Sequence, residues 1–328
     1  MKIFIYTEAG RKFGYGHIVR CRAIAEAFVE LNYEVEFFLN GDDSAKTFVR
    51  DFKYTLGPWC EKPVKDSNGL IIFDSYVATM ESMRIISGDC ETLFVDDFQR
   101  LEYPSNSWIL NACPGISKHM YPNNRKVLLG PDYLPLRKDF WDIKVKDTRH
   151  FGDINKILVM FGGSDIKNLT PVTINHLIQN LPDVQIITIQ GRESRSLSEL
   201  IDLANIHNRF QIYVQPNTQD LIAHMLEVDL AISAAGQTLQ ELACLGLPTI
   251  AIQVAENQSN NLRGWSENEA IIPIMNYDSA NFHSKLNAAL EVLKSSRTRR
   301  KYSNEIMKFV DGQGARRLAK YIMQRRSQ

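Results

Sequence analysis

Apolar residues recur along this chain in two alternating rhythms. Lys2–Thr7 is a short apolar run of strand length. A glycine-bearing loop follows, and then Ile18, Cys21, Ile24, Ala25, Phe28 and Leu31 repeat at helical spacing. Further strands are predicted at Tyr33–Leu39, Leu70–Phe73 and Thr92–Val95, with a helix over Ala78–Ile86 between the last two. Short apolar runs alternating with helical stretches predict a parallel sheet covered by helices on both faces.

The rhythm pauses between about Phe140 and Asp153, where WDIKVKDTRHFGD is polar, charged and weakly periodic, as a linker would be. It then restarts with a strand at Lys156–Met160, a tight turn at Gly162-Gly163, and Thr170-Pro171 as an expected N-cap followed by proline at the first helical position. Strands are predicted again at Val184–Ile189, Phe210–Val214, Leu230–Ser233 and Thr249–Val254. The expected division is 1–141 and 142–328. Both halves open as strand, glycine turn, helix. Two Rossmann-like, doubly wound α/β domains facing a cleft, each with its glycine turn at the carboxyl end of its sheet, form the GT-B arrangement. The C-terminal helix is basic (Arg316, Arg317, Lys320, Arg325, Arg326), and Leu318, Ile322 and Met323 form a stripe by which it would dock back on the first domain or bind a partner.

Composition narrows the classes. The chain has 328 residues, 44% hydrophobic and 23% charged, which suits a folded two-domain protein and not a disordered or fibrous one. Lys and Arg (38) balance Asp and Glu (38), so the overall charge carries no nucleic-acid signature. No run approaches the ~20 apolar residues of a membrane span. The strand that begins at Lys2 leaves no room for a signal peptide's apolar region, so a cytoplasmic location is expected. The five cysteines (Cys21, Cys60, Cys90, Cys113, Cys244) lack metal or disulfide spacing and read as free thiols. No metal or cofactor is expected, and nothing in the sequence specifies an oligomeric state.

Three places carry candidate chemistry. In the loop Glu8–Gly16, Gly14 and Gly16 partly match the dinucleotide fingerprint. Val19 stands at its third glycine, however, and Leu39-Asn40 ends the second strand where an acid should bind a ribose. His17 is the stronger candidate. It stands where the turn becomes a helix, whose positive end would keep the imidazole neutral and available as a base. His119, His150, His176, His207, His224 and His283 have no recognisable partner. The second place is Phe161-Gly162-Gly163-Ser164-Asp165. The third is Ser233-Ala234-Ala235-Gly236-Gln237-Thr238 with Glu241, followed by Gly246-Leu247-Pro248. Both follow strands with small residues and open helices, so their amides would hold a diphosphate without a Walker lysine.

The ordered series Gly16-His17-Ile18-x-Arg20, Asp74-Ser75-Tyr76, Val95-Asp96-Asp97, Gly130-x-x-Tyr133-x-x-Leu136-Arg137-x-x-Phe140, Gly162-Gly163-Ser164-Asp165-x-x-Asn168, Ser233-Ala234, Glu241 and Asn257-Gln258 resembles the UDP-sugar hydrolases of pseudaminic acid biosynthesis. Those enzymes release UDP from UDP-2,4-diacetamido-2,4,6-trideoxy-β-L-altropyranose. They share the GT-B fold with the glycosyltransferase that makes lipid II. The resemblance spans residues 1 to about 270. It implies that His17 activates water, with Gly16, Arg20, Asp74, Tyr76, Asp97 and Asn257 around the sugar. It also implies that Gly162, Gly163, Gly236, Gln237 and Thr238 lie on UDP and that Glu241 holds its ribose. Gln237 and Thr238 replace the usual small hydroxyl residues of the phosphate loop, and Ser75 departs from the residue types expected between Asp74 and Tyr76.

The expected activity is therefore inverting, metal-independent hydrolysis of a small-molecule UDP-sugar. Two alternatives stay open: a GT-B glycosyltransferase with the same donor, and a nucleotide-sugar binding protein without catalysis. The helix after His17 mixes Arg20, Arg22 and Glu26 and shows no exposed apolar run for a membrane-bound acceptor, which favours water.

Overall fold

The structure, a computed structural model, describes residues 1–58, 68–104, 106–122, 126–143, 145, 152–163, 165–192, 194–278 and 280–326. Cys60, His150, Ser164 and much of the expected linker lie outside the described residues. The chain forms two compact units, Met1–Trp141 with Gly312–Gln328, and Asp142–Asp311.

Unit 1 holds a seven-stranded sheet of β1 (Lys2–Ala9), β2 (Glu34–Gly41), β3 (Lys53–Leu56), β4 (Leu70–Asp74), β5 (Glu91–Val95), β6 (Trp108–Asn111) and β7 (Lys126–Leu129). Their order is β3-β2-β1-β4-β5-β6-β7 and every ladder is parallel. Alternation along β1 splits its side chains between two cores. Ile3, Ile5 and Ala9 pack with Ile18, Cys21, Ala25 and Phe28 of α1 (Gly16–Glu30). Phe4 and Tyr6 pack with Ile71, Phe73 and Phe94, and with Met83 and Ile86 of α2 (Met80–Ser87). Helix α1 stops where Asn32 takes a left-handed φ of 65° and its amide bonds Val29 O at 2.8 Å.

Unit 2 holds β8 (Lys156–Met160), β9 (Gln185–Gln190), β10 (Phe210–Val214), β11 (Leu230–Ala234), β12 (Thr249–Ile252) and β13 (Ile272–Ile274), in the order β10-β9-β8-β11-β12-β13, all parallel. Its helices are α3 (Leu169–Asn180), α4 (Leu197–Ile206), α5 (Thr218–Leu226), α6 (Gln237–Cys244), α7 (Ser259–Glu267), α8 (Phe282–Lys294) and α9 (Ser296–Met307). Helix α3 begins one residue before the expected cap. Asn168, left-handed at φ 53°, is the N-cap, and Asp165 accepts the Leu169 and Thr170 amides at 3.0 and 2.7 Å. Four strands, β3, β6, β7 and β13, were not predicted. At three or four residues they are too short to display a period, and their neighbours in the sheet define them.

Helix α10 (Gly314–Arg326) follows unit 2 in the chain and packs in unit 1. Ala315, Leu318, Ala319 and Ile322 are fully buried in the core around α1. Gly314 lies against the Leu134 backbone, where a Cβ would collide. Part of the basic face is paired at home: Arg316 grips both oxygens of Glu30 at 2.7 Å, and Arg326 meets Glu91 at 3.2 Å. Among the described residues no helix is long and apolar enough to cross a membrane.

Candidate active site

In unit 1 the strand order reverses between β1 and β4, the place where ligands bind in open α/β sheets. Parallel register sets Thr7 of β1 level with Asp74 at the end of β4. Helix α1 starts beside this edge, and one of its turns carries both His17 and Arg20.

Five side chains close into a ring there. His17 Nδ1 lies 2.6 Å from Asp74 Oδ1. Arg20 donates from Nε to Asp74 Oδ2 at 2.8 Å and from Nη2 to Asp74 Oδ1 at 2.7 Å. The same guanidinium reaches both oxygens of Asp97, at 2.7 and 3.1 Å. Tyr76 donates its hydroxyl to Asp97 Oδ2 at 2.5 Å, and its ring stands edge-on to His17 with centroids 4.3 Å apart. The ring thus joins one helix to the ends of two strands, β4 and β5, that are remote from it in sequence. A carboxylate only accepts, so Nδ1 of His17 carries the proton and the neutral imidazole presents Nε2 as its basic nitrogen.

Asp74 is fully buried. Burial raises the cost of its charge, but Arg20 and His17 outweigh it and hold the carboxyl far below the usual range. Burial of His17 disfavours the imidazolium. Asp74, by charge and by hydrogen bond, more than offsets this, and the His17 pKa is raised. The helix terminus was expected to disfavour the imidazolium; the carboxylate in direct contact acts in the opposite direction and sets the sign of the shift. Tyr76 is pushed up by burial and by Asp97, so its phenol stays a donor.

Two residues missed in the sequence support this ring. Glu8, 1% exposed, accepts the Tyr76 amide at 2.5 Å and the Val77 amide at 3.3 Å. Arg100 donates to Ser75 O at 3.2 Å and Ala78 O at 2.8 Å. The unexpected Ser75 caps its own turn, its hydroxyl accepting from Val77 and Ala78 at 3.2 and 2.9 Å. One signal was available for Glu8: an acid stands near the end of the apolar first strand.

Unit 2 gathers the remaining candidates at the carboxyl ends of three adjacent strands, β8, β11 and β12, around its own switch point. Gly162 has φ 83°, and a Cβ at Gly162 or Gly163 would meet no atom within 4 Å. The Gly191 amide bonds Gly163 O at 2.9 Å and fixes that turn from behind. Gly236 caps α6 without a side-chain bond, and Gln237, Thr238 and the buried Glu241 follow on the helix. Asn257 sits in the short turn of helix Glu256–Gln258 after β12. A Cβ on Gly236 would lie 3.4 Å from Gln258 Nε2, so the two loops adjoin. Gly16 opens α1 in unit 1, and Asn257, grouped with the sugar residues in the sequence reading, belongs to unit 2. The Leu169 and Thr170 amides are taken by Asp165, so α3 offers less to an anion than the glycine motif suggested.

Among the other histidines, His176 pairs with Asn287 at 2.7 Å, and His224 pairs with Glu227 and stacks on Tyr213. Cys21, Cys113 and Cys244 are buried and form no disulfide. Among the described residues no cluster of three His, Cys, Asp or Glu side chains is arranged to hold a metal.

No protein-family model matches the chain. It is 24% identical over 287 residues to the spore coat polysaccharide biosynthesis protein SpsG of Bacillus subtilis, covering 84% of each chain. It is 21% identical over 273 residues to the UDP-2,4-diacetamido-2,4,6-trideoxy-beta-L-altropyranose hydrolase of Campylobacter jejuni, covering 79% of this chain and 94% of that one. A Helicobacter pylori protein named pseudaminic acid cytidylyltransferase and UDP-2,4-diacetamido-2,4,6-trideoxy-beta-L-altropyranose hydrolase is 25% identical over 264 residues, 79% of this chain but 45% of that longer protein. Among solved structures, Acinetobacter baumannii MurG superposes with a TM-score of 0.66 at 15% identity, covering 99% of this chain and 100% of that one. The spinosyn rhamnosyltransferase SpnG gives 0.67 at 12% identity, covering 98% and 100%. The chain has the two-domain α/β GT-B fold and is similar to the UDP-sugar hydrolases that its motif series resembles.

Proposed function

We propose that this protein is a UDP-sugar hydrolase. It releases UDP from UDP-2,4-diacetamido-2,4,6-trideoxy-β-L-altropyranose by attack of water at the anomeric carbon, with inversion and without a metal, as a step in pseudaminic acid biosynthesis. The observation that carries the reading is the His17–Asp74 pair, which leaves Nε2 of a buried imidazole as a base. The named hydrolases of Campylobacter and Helicobacter supply the substrate class.

In this reading the carboxyl edge of unit 2 binds UDP, with Glu241 on the ribose and Asn257 nearby. Amides at Gly162, Gly163 and Gly236–Thr238 meet the charge that grows on the departing diphosphate. UDP leaves readily, so no strong acid is needed at the glycosidic oxygen. His17 Nε2 takes a proton from water as the water oxygen bonds to the anomeric carbon. The carbon–oxygen bond to phosphate breaks, and its electron pair leaves with UDP. Asp74 stabilises the imidazolium that forms, and Arg20, Asp97 and Tyr76 keep that carboxylate and the ring in place. A general base in this position is worth ~10²–10⁴-fold.

The test is UDP release, with EDTA present and no acceptor, from a panel of UDP-linked acetamido sugars that includes the 6-deoxy-altrose donor. Rapid release from that donor, lost in His17→Ala with UDP binding retained, is the expected result. Release only after addition of an acceptor extract would make the protein a transferase. UDP binding without turnover under either condition would leave a binding protein. A His17→Ala variant turning over at the wild-type rate would remove His17 as the base.

A further inference from the structure

We infer that Glu8 is a positioning residue, which holds the Tyr76–Val77 backbone so that the Tyr76 ring stays against His17. The inference rests on the reading of His17 as the base and adds a residue outside the motif series. Glu8 stands at the penultimate position of β1, beside the switch point. Its carboxylate is almost wholly buried and makes no ion pair among the described residues. One oxygen takes the amides of Tyr76 and Val77, and the other has no hydrogen-bond partner. A buried carboxylate is costly unless hydrogen bonds offset the loss of water, and here the bonds go to two consecutive backbone amides.

Other groups hold the rest of the same turn. Arg100 donates to the carbonyls of Ser75 and Ala78, and the Ser75 hydroxyl accepts from Val77 and Ala78. The turn is thus gripped at its carbonyls by Arg100 and at its later amides by Ser75, while the Tyr76 amide is held by Glu8, which also shares that of Val77. Its one aromatic side chain touches both His17 and Asp97. A turn released on the amide side lets Tyr76 drift from the imidazole edge, and displacements of about 1 Å near a reacting group cost up to ~10²-fold in rate.

The experiment compares Glu8→Ala and Glu8→Gln in the full chain. A glutamine keeps one oxygen to accept both amides, whereas alanine keeps none. Two readouts are taken: hydrogen exchange at the 75–78 segment by mass spectrometry, and UDP release per UDP-binding site, with kcat and KM separated. Glu8→Ala is expected to raise exchange in that segment at least tenfold and to lower kcat about tenfold, with KM within threefold of wild type. Glu8→Gln is expected to rescue both. Wild-type exchange in Glu8→Ala would overturn the grip. Faster exchange with unchanged kcat would overturn the positioning role, while an inactive His17→Ala measured alongside leaves the hydrolase reading intact. A fully active His17→Ala overturns the base assignment and leaves the grip to be judged by exchange.

Discussion

Replacing Asp74 by asparagine tests the His17–Asp74 pair most directly. Oδ1 of Asp74 receives His17 Nδ1 and Arg20 Nη2, while Oδ2 receives Arg20 Nε. An asparagine must turn its NH₂ towards one of these neighbours. The guanidinium has only donors and cannot adapt, whereas the imidazole can exchange tautomers. Either orientation opposes the NH₂ to a guanidinium donor, Nη2 at the Oδ1 position or Nε at the Oδ2 position, but only at Oδ1 can a neighbour adapt: there Nδ1 of His17 becomes the acceptor, and the proton moves to Nε2, where the base is needed. The kcat of Asp74→Asn should fall by nearly as much as that of His17→Ala, ~10²–10⁴-fold. The double variant should be no slower than His17→Ala, because both changes remove one function. Loss of the carboxylate that raises the His17 pKa should also move the acid limb of kcat/KM to lower pH.

Stability responds too. Breaking a buried pair on one side costs about 3–5 kcal/mol; at the lower end, the melting temperature falls by roughly 6–12 °C for a unit of this size. Asp74 has a depressed pKa, so its contribution is complete above the ordinary carboxylate value of about 3.9 and is lost as pH falls below it. The two proteins should therefore differ at neutral pH and converge in strong acid. UDP release against pH and thermal melts at several pH values read all of this. An Asp74→Asn variant within about threefold of wild-type kcat, with an unmoved acid limb, would refute the pairing argument.

Two further outcomes are expected. Gly191→Ala should press its new methyl on Gly163 O and disturb the turn after β8, raising KM and weakening UDP binding tenfold or more by calorimetry while kcat changes little. Leu318→Ala should cost ~2–5 kcal/mol by cavity formation in unit 1, although Leu318 lies beyond unit 2 in the chain, and a denaturant melt followed by Trp108 and Trp141 fluorescence reads it.

The sequence alone determined the repeating strand–turn–helix order, the long buried strands and the glycine turns, because periods of 2 and 3.6 and the steric freedom of glycine are local properties. It also singled out His17, Arg20, Asp74, Tyr76 and Asp97 as a series, but by resemblance and without their connections. Tertiary structure decided the rest. The register of β1 on β4, a pairing across 67 residues from Thr7 to Asp74, brings the ring to one edge. Contact with a buried carboxylate set the direction of the His17 shift, which the helix terminus alone would have drawn the other way. Strands β3, β6, β7 and β13 exist because their neighbours supply the hydrogen bonds. Helix α10 has the apolar stripe that sequence could read, but only packing chose α1 as its partner. Glu8 gave a single local hint, a charge in a buried strand, and its role emerged only when the chain folded the Tyr76 turn against it.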